Sequence, residues 1–119
     1  MNNKSINIKQ ARASVKYIRM SSTKVRRVLN QIVGLNFRDA LILLEFMSYR
    51  SCKVILNLLN SAAANAESQE GVINRSNLFI AKAYVNQGPV LKRVHPRAQG
   101  RACALRKPTC HITIIVSIE

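Results

Sequence analysis

The chain has 119 residues, with 19 Lys and Arg against 5 Asp and Glu, so its formal net charge is +14. Its length suits one domain with one core, and its 48% apolar content excludes a disordered basic tail. Three cysteines without a CxxC pair argue against a disulfide framework, and no apolar run approaches a membrane span. The composition therefore predicts a soluble intracellular protein that binds a polyanion.

The basic residues are concentrated at the two ends of the chain. Residues 1–30 contain eight Lys or Arg and no acid, and residues 82–119 contain seven Lys or Arg with one acid, Glu119. The middle segment, residues 31–81, has four basic and four acidic residues. We therefore expect a neutral middle between two cationic ends.

The first predicted element is a β-strand over residues 11–19, because apolar and polar residues alternate there. The alternation places Ala11, Ala13, Val15 and Tyr17 on one face, and Arg12, Ser14 and Lys16 on the other. This strand is expected to have one basic side.

Three amphipathic helices are predicted next. The first begins after Ser21 or Ser22 and ends at Gly34, and the second begins after Asn36, with Asp39 in its first turn. The third covers residues 51–68, and residues 70–77 are expected to form a loop. The predicted buried positions are Val25, Val28, Leu29, Ile32 and Val33 in the first helix, Phe37, Ala40, Leu41, Leu44 and Met47 in the second, and Val54, Ile55, Leu58, Leu59, Ala62, Ala63 and Ala66 in the third.

Residues 78–91 and 111–119 are predicted to be strands, with a bend at Gly88-Pro89. They bracket a segment that we expect to form a hairpin whose tip lies near residues 98–100, because Gly100 can adopt a positive φ. At about 3.3 Å per residue, arms of this length would project roughly 40 Å. The hairpin is therefore expected to leave the globule.

The segment KRVHPRAQGRACALRKPT, residues 92–109, carries six basic residues and no acid. A two-stranded ribbon with this charge is unstable in water by itself, and a phosphate-rich surface would neutralise it. Arginine favours bidentate phosphate contacts. The cations concerned are Lys92, Arg93, Arg97, Arg101, Arg106 and Lys107. A solvated, disordered basic loop is the alternative interpretation of this segment.

Three other functions are weighed from the residues. A zinc site built from His95, Cys103, Cys110 and His111 lacks paired ligands at metal spacing. A helix-turn-helix that binds DNA would place the basic charge on its second helix, whereas here the first helix carries it. An enzyme would need a Gly-rich phosphate loop or a nucleophile elbow, and neither is visible; aromatic stacking platforms are also not apparent in the basic ends.

Several separated segments resemble one protein family. Lys92, RAQGR at 97–101 and HITIIV from His111 look like the signature of the bacterial-type large-subunit ribosomal protein L-twenty-two family. The similarity extends through SSTKVRRVLNQIVG and SAAANAE and covers roughly residues 11–119. MSYRSC and KPTCHITI look more like plastid members.

This resemblance implies an α+β fold with three helices packed on a three-stranded antiparallel sheet and a long protruding β-hairpin. The chain would be a single ribosomal protein domain over residues 1–119, with the hairpin at about 87–110. It would be a structural constituent of the large subunit, bind 23S-type rRNA and neighbouring ribosomal proteins, and line the nascent-peptide exit tunnel. No enzymatic activity, cofactor, metal, membrane or small-molecule substrate is expected, and a plastid-encoded protein of chloroplast ribosomes is favoured over a bacterial one.

Two sets of site residues follow from the charge pattern and the resemblance together. The predicted RNA contacts are Arg12, Lys16, Arg19, Lys24, Arg26, Arg27, Lys92, Arg93, Arg97, Arg101, Arg106 and Lys107. The predicted tunnel-lining tip consists of His95, Pro96, Arg97, Ala98, Gln99, Gly100 and Arg101.

Overall fold

The computed structural model describes residues 10–70, 75–96, 98–100 and 102–118. Its elements, in chain order, are strand β1 (Gln10–Ile18), helices α1 (Ser22–Ile32), α2 (Phe37–Phe46) and α3 (Ser51–Glu70), a 3-10 turn (Arg75–Asn77), strands β2 (Leu78–Gln87) and β3 (Leu91–Pro96), a second 3-10 turn (Ala98–Gly100), and strands β4 (Ala102–Lys107) and β5 (Cys110–Ile118). No helix in these described ranges is long and apolar enough to cross a membrane.

The three-stranded sheet has the order β1-β5-β2, and both pairings are antiparallel. The last strand of the chain is therefore the central one, and Ile114 on it pairs with Ala13 on one side and Ala83 on the other. Helix α3 packs against β1 and β5, and α1 packs against β2. The predicted α+β fold with three helices on a three-stranded antiparallel sheet is confirmed.

The core lies between the helices and this sheet. Most of the predicted helix positions are buried, because each helix turns one apolar stripe inward. Leu41, Met47 and Val54 are only partly buried, and Val33 is 41% exposed because it lies just beyond the last residue of α1. Gly34 then takes φ +87°, which ends α1 as the sequence predicts.

At both edges of the three-stranded sheet, backbone groups form hydrogen bonds with neighbouring segments. At the β1 edge, Nδ2 of Asn65 in α3 donates a hydrogen bond of 2.9 Å to the carbonyl of Arg12. At the β2 edge, the backbone N–H of Gly34 donates to Ile80, and Ile80 donates to Leu35, both at 2.9 Å. These contacts satisfy edge groups that would otherwise be open to pairing with another chain.

The prediction that Tyr17 lies on the same face of β1 as Ala11, Ala13 and Val15 is wrong, since Ala11 and Ala13 are buried. The pairing with β5 shifts register between Val15 and Ile18, and Tyr17 adopts φ 61° with 63% of its surface exposed. Its backbone N–H donates to Nδ1 of His111 at 3.1 Å, and the two rings meet edge to face at 4.9 Å. A bulge interrupts the alternation here, which period-two reasoning cannot anticipate.

The hairpin forms a second, separate two-stranded sheet. Strands β3 and β4 pair antiparallel from Leu91 opposite Lys107 to Pro96 opposite Ala102, and Gly100 in the connecting turn has φ +74°. The strand predicted over residues 78–91 is divided, since β2 ends at Gln87 and β3 starts at Leu91. The extents are 71 × 34 × 22 Å and the radius of gyration is 18.1 Å, against about 13 to 14 Å for a compact chain of this length. This elongation is consistent with a hairpin that leaves the globule.

Gly88 lies where the backbone at the base of the hairpin is tightly packed. Its N–H donates to the carbonyl of Thr109 at 2.9 Å, and a Cβ on it would lie 2.6 Å from Oγ1 of Thr109 and 3.1 Å from Cε1 of His111. Thr109 is buried and its hydroxyl donates to the carbonyl of Pro89, so it has little freedom to move. We expect Gly88→Ala to lower the free energy of unfolding by about 1 to 3 kcal/mol in urea titrations.

A double-mutant cycle tests whether the contact between the new Cβ at position 88 and Oγ1 of Thr109 causes the destabilisation by Gly88→Ala. Thr109→Ala removes Oγ1, so the pair Gly88→Ala with Thr109→Ala should be less destabilised than the sum of the two single changes. Strict additivity would show that the contact with Thr109 is not the cause.

Candidate nucleic-acid interface

A cleft of about 790 Å³ opens where three parts of the chain meet. They are the connection from β1 into α1, the connection from α2 into α3, and the end of the hairpin before β5. The residues that line it are Arg19, Met20, Ser21, Lys24, Val25, Arg27, Ser48, Tyr49, Arg50, Ser51, Lys107 and Pro108. The cleft therefore joins both cationic ends of the sequence to a loop from its neutral middle.

The cleft is strongly cationic. Five of its lining side chains are Lys or Arg, and none of the described lining residues is acidic. Arg19, Lys24, Arg27 and Arg50 are exposed, whereas Lys107 is half-buried. Like charges at this density repel one another, so the protein by itself stores unfavourable energy that a bound polyanion would relieve.

Two helices begin at this cleft. Ser21 precedes α1 and Ser51 is the first residue of α3, and both line it. Within the described chain, the Ser21 side chain makes no capping hydrogen bond to the first turn of α1. The N-terminal ends of both helices add partial positive charge to the cations already there.

The predicted RNA contacts on β1, and Arg26 on α1, lie outside the lining of the cleft. Arg12 and Lys16 are exposed on the strand, apart from the cleft lining. Arg26 is exposed on α1, but its Nη2 donates a hydrogen bond of 3.3 Å to the carbonyl of Val85. Arg26 thus ties α1 to β2, and its guanidinium is partly committed within the protein.

Two of the hairpin cations lie opposite one another on the ladder, and Lys107 lies opposite an apolar residue. Lys92 pairs in register with Arg106, and Leu91 with Lys107. Lys92 is exposed, and Ala98 and Gly100 at the turn are exposed too. Residues Arg97 and Arg101 lie outside the described residues, as do the side chains of Arg93, His95, Pro96, Gln99 and Arg106.

Arg75, in the neutral middle segment of residues 31–81, is already paired with an acidic residue. Arg75 forms a salt bridge with Glu67 and stands 5.8 Å from the ring centroid of Phe37. The hydrogen bond from Arg75 lowers the pKa of the Glu67 carboxyl. Arg75 is therefore a poor candidate for a phosphate contact.

The residues weighed for zinc do not assemble into a cluster among the described side chains. Cys110 is fully buried, and burial raises the pKa of its thiol; burial likewise raises the pKa of Cys52, with a smaller lowering effect from the Tyr49 backbone. Nδ1 of His111 accepts the hydrogen bond from Tyr17. The side chains of His95 and Cys103 lie outside the described residues.

Sequence reasoning missed two residues of the cleft, Tyr49 and Arg50. Both belong to the segment whose net charge is zero, and the search for stacking aromatics covered only the basic ends. The one available signal was a Tyr-Arg pair in a short break between two helices, since loops carry binding residues more often than helix interiors do.

The model of the family described as ribosomal protein L22p/L17e matches residues 13–117. The chain belongs to this family. The family consists of ribosomal proteins, and it is not a family of enzymes. The matched range spans the three helices, β2, the hairpin and most of β1 and β5.

Curated relatives agree with this family assignment. Large ribosomal subunit protein uL22 of the cyanobacterium Trichormus variabilis is 59% identical over 108 residues, covering 91% of this chain and 90% of its own. Large ribosomal subunit protein uL22c of Pyropia yezoensis is 57% identical over 111 residues, covering 93% and 94%. The uL22c of Porphyra purpurea is also 57% identical over 111 residues, covering 93% and 95%.

Proposed function

We propose that this chain is a structural component of the large ribosomal subunit and binds its 23S-type rRNA. The relatives that match over nine-tenths of the chain are named as large-subunit proteins. The observation that carries the RNA contact is the cleft, where cations from both ends of the sequence converge without a described acid among them. Neighbouring large-subunit proteins are the other expected partners.

RNA backbone is the polyanion that suits this distribution of charge. Each Lys or Arg that neutralises a phosphate releases condensed counterions, which favours binding. The exposed cations lie in the cleft, on β1 and near the base of the hairpin, which are three separate parts of the chain. One chain can therefore hold several RNA segments together, which is a structural role and requires no catalysis.

The hairpin is proposed to line the nascent-peptide exit tunnel with residues 95–101. An isolated two-stranded ribbon is marginal in water, so ribosomal RNA around β3 and β4 would stabilise it. The elongated dimensions support an element that reaches away from the globule. In this proposal the tip contacts the nascent peptide, while Arg93, Arg106 and Lys107 contact RNA along the shaft.

We further propose that residues 1–119 form a single ribosomal protein domain with the hairpin at about 87–110. Chloroplast ribosomes are our proposed location. The red algal uL22c relatives, each 57% identical to this chain, support that location.

Site-specific photo-crosslinking on ribosomes tests this function. The tagged chain should co-sediment with large subunits through a high-salt wash. A photoreactive residue at the exposed position Ala98 should then crosslink to ribosome-bound nascent peptides long enough to reach the hairpin. The same residue at Phe46, 83% exposed on α2, is the matched control and should give no nascent-chain adduct.

The two parts of the experiment report on different claims. Absence of the chain from washed large subunits would refute the ribosomal assignment. Co-sedimentation without a crosslink from Ala98 would refute the tunnel position alone.

A further inference from the structure

The lining of the cleft contains apolar residues beside the cations, and phosphate binding by itself does not require them. Met20, Val25, Tyr49 and Pro108 line the cavity together with the cations. We propose that the cleft receives one unpaired nucleotide of RNA, whose base stacks on Tyr49 while its flanking phosphates meet Arg19, Lys24 and Arg50. This inference rests on the proposed function, because it assumes that the chain binds RNA.

Tyr49 is well placed to act as a stacking surface. It is 46% exposed, so one part of the side chain contacts the protein and the other part is open to the cleft. Its carbonyl accepts a hydrogen bond of 3.1 Å from the N–H of Cys52, which fixes the loop against the start of α3. Stacking of a base on an aromatic side chain tolerates any base, because every base has a π-face.

The charged groups around Tyr49 suit the phosphates on either side of a stacked base. Arg50 follows it directly in sequence, Arg19 lies between β1 and α1, and Lys24 lies in the first turn of α1. Arginine can bind a phosphate with two parallel hydrogen bonds. Phosphates at these positions would also face the starts of α1 and α3, whose N–H groups favour anions.

The volume of the cleft suits a single unpaired nucleotide. A volume of about 790 Å³ lies within the usual range of small-ligand pockets, which is roughly 300 to 1,000 Å³. In an A-form duplex the bases are stacked inside, so only the backbone and groove edges reach a protein. A base can enter this cleft only when it is splayed out of the helix, as in a bulge or a loop.

Three RNA hairpins with identical stems test the proposal at one fixed salt concentration. The first has a single bulged adenosine, the second is fully paired, and the third has an abasic residue at the bulge. We expect the protein to prefer the first, and Tyr49→Ala to weaken its binding by about 5- to 150-fold, which is the value of one stacked base. Binding of the paired and abasic RNAs should change little.

Matched variants isolate the aromatic ring. Tyr49→Phe keeps a ring and should retain the preference for the bulged RNA. Phe46→Ala removes an exposed aromatic from α2, outside the cleft, and should leave all three affinities unchanged. Thermal melting of each variant establishes that it is folded.

A fluorescent variant tests stacking directly, even if Tyr49→Ala fails to fold. The chain contains no Trp, so Tyr49→Trp introduces a single reporter in the cleft. Its emission should be quenched by the bulged RNA and not by the abasic one.

Several outcomes would overturn the inference. Equal affinity for the three RNAs, with salt-dependent binding intact, would leave rRNA binding standing and refute the nucleotide site. Saturation by adenosine monophosphate as tight as by the bulged RNA would identify a free-nucleotide site instead. Failure to bind any RNA at low salt would refute the proposed function itself.

Discussion

Raising the salt concentration from about 50 to about 200 mM is expected to weaken binding of this chain to large-subunit rRNA by about 10³- to 10⁵-fold. That range corresponds to roughly six to ten neutralised phosphates, using the slope measured for duplex DNA as a guide. The expectation follows from the net charge of +14 and from the exposure of the cleft cations. Filter binding or fluorescence anisotropy across a salt series would measure it.

Two single substitutions distinguish the loss of a phosphate contact from the loss of one unit of net charge. Arg19→Gln in the cleft should reduce the magnitude of the logarithmic salt slope by about one, because one fewer phosphate is neutralised. Arg75→Gln removes the same charge from a residue that is already paired with Glu67, so the slope should stay the same. Equal effects of the two variants, or an affinity independent of salt, would contradict the electrostatic account.

Ile114→Ala is expected to lower the free energy of unfolding by about 2 to 5 kcal/mol, a large part of the stability of a small domain. Ile114 is fully buried on β5, between Ala13 of β1 and Ala83 of β2, so truncation leaves a cavity in the middle of the sheet. Urea titration followed by circular dichroism measures the change. Ile42→Ala, at a position 49% exposed on α2, is the matched control and should shift stability by no more than about 0.5 kcal/mol.

Shortening the hairpin is expected to leave the stability of the core unchanged, in contrast to Ile114→Ala. Arg93 and Leu105 are paired across the ladder, so residues 94–104 can be replaced by Asn-Gly as a two-residue turn. Because β3 and β4 form their own sheet, the core of the three-stranded sheet should be unaffected, and the urea transition should stay cooperative with a similar midpoint. Loss of the cooperative transition would show that the hairpin tip belongs to the core.

The helices could be predicted from the sequence because their causes are local. The spacing of Val25, Val28, Leu29 and Ile32 specifies a buried stripe over about two turns, and a glycine after the helix permits the positive φ that ends it. The charge distribution likewise needs no coordinates. These features depend on residues within a few positions of one another.

The register of β1 could not be predicted in the same way. Tyr17 continues an alternating pattern, but the bulge against β5 and the hydrogen bond to His111 turn it toward solvent. A bulge arises from pairing between residues that are 94 positions apart, as Tyr17 and His111 are. A local period contains no information about that pairing.

The sequence by itself determined the cationic ends, the three amphipathic helices, the hairpin and the family. Only the tertiary structure decided that Arg19 and Lys24 share a cleft with Tyr49, Arg50 and Lys107. The physical reason is that packing the three helices on one sheet brings the starts of α1 and α3 beside the hairpin base, so side chains distant in sequence surround one cavity.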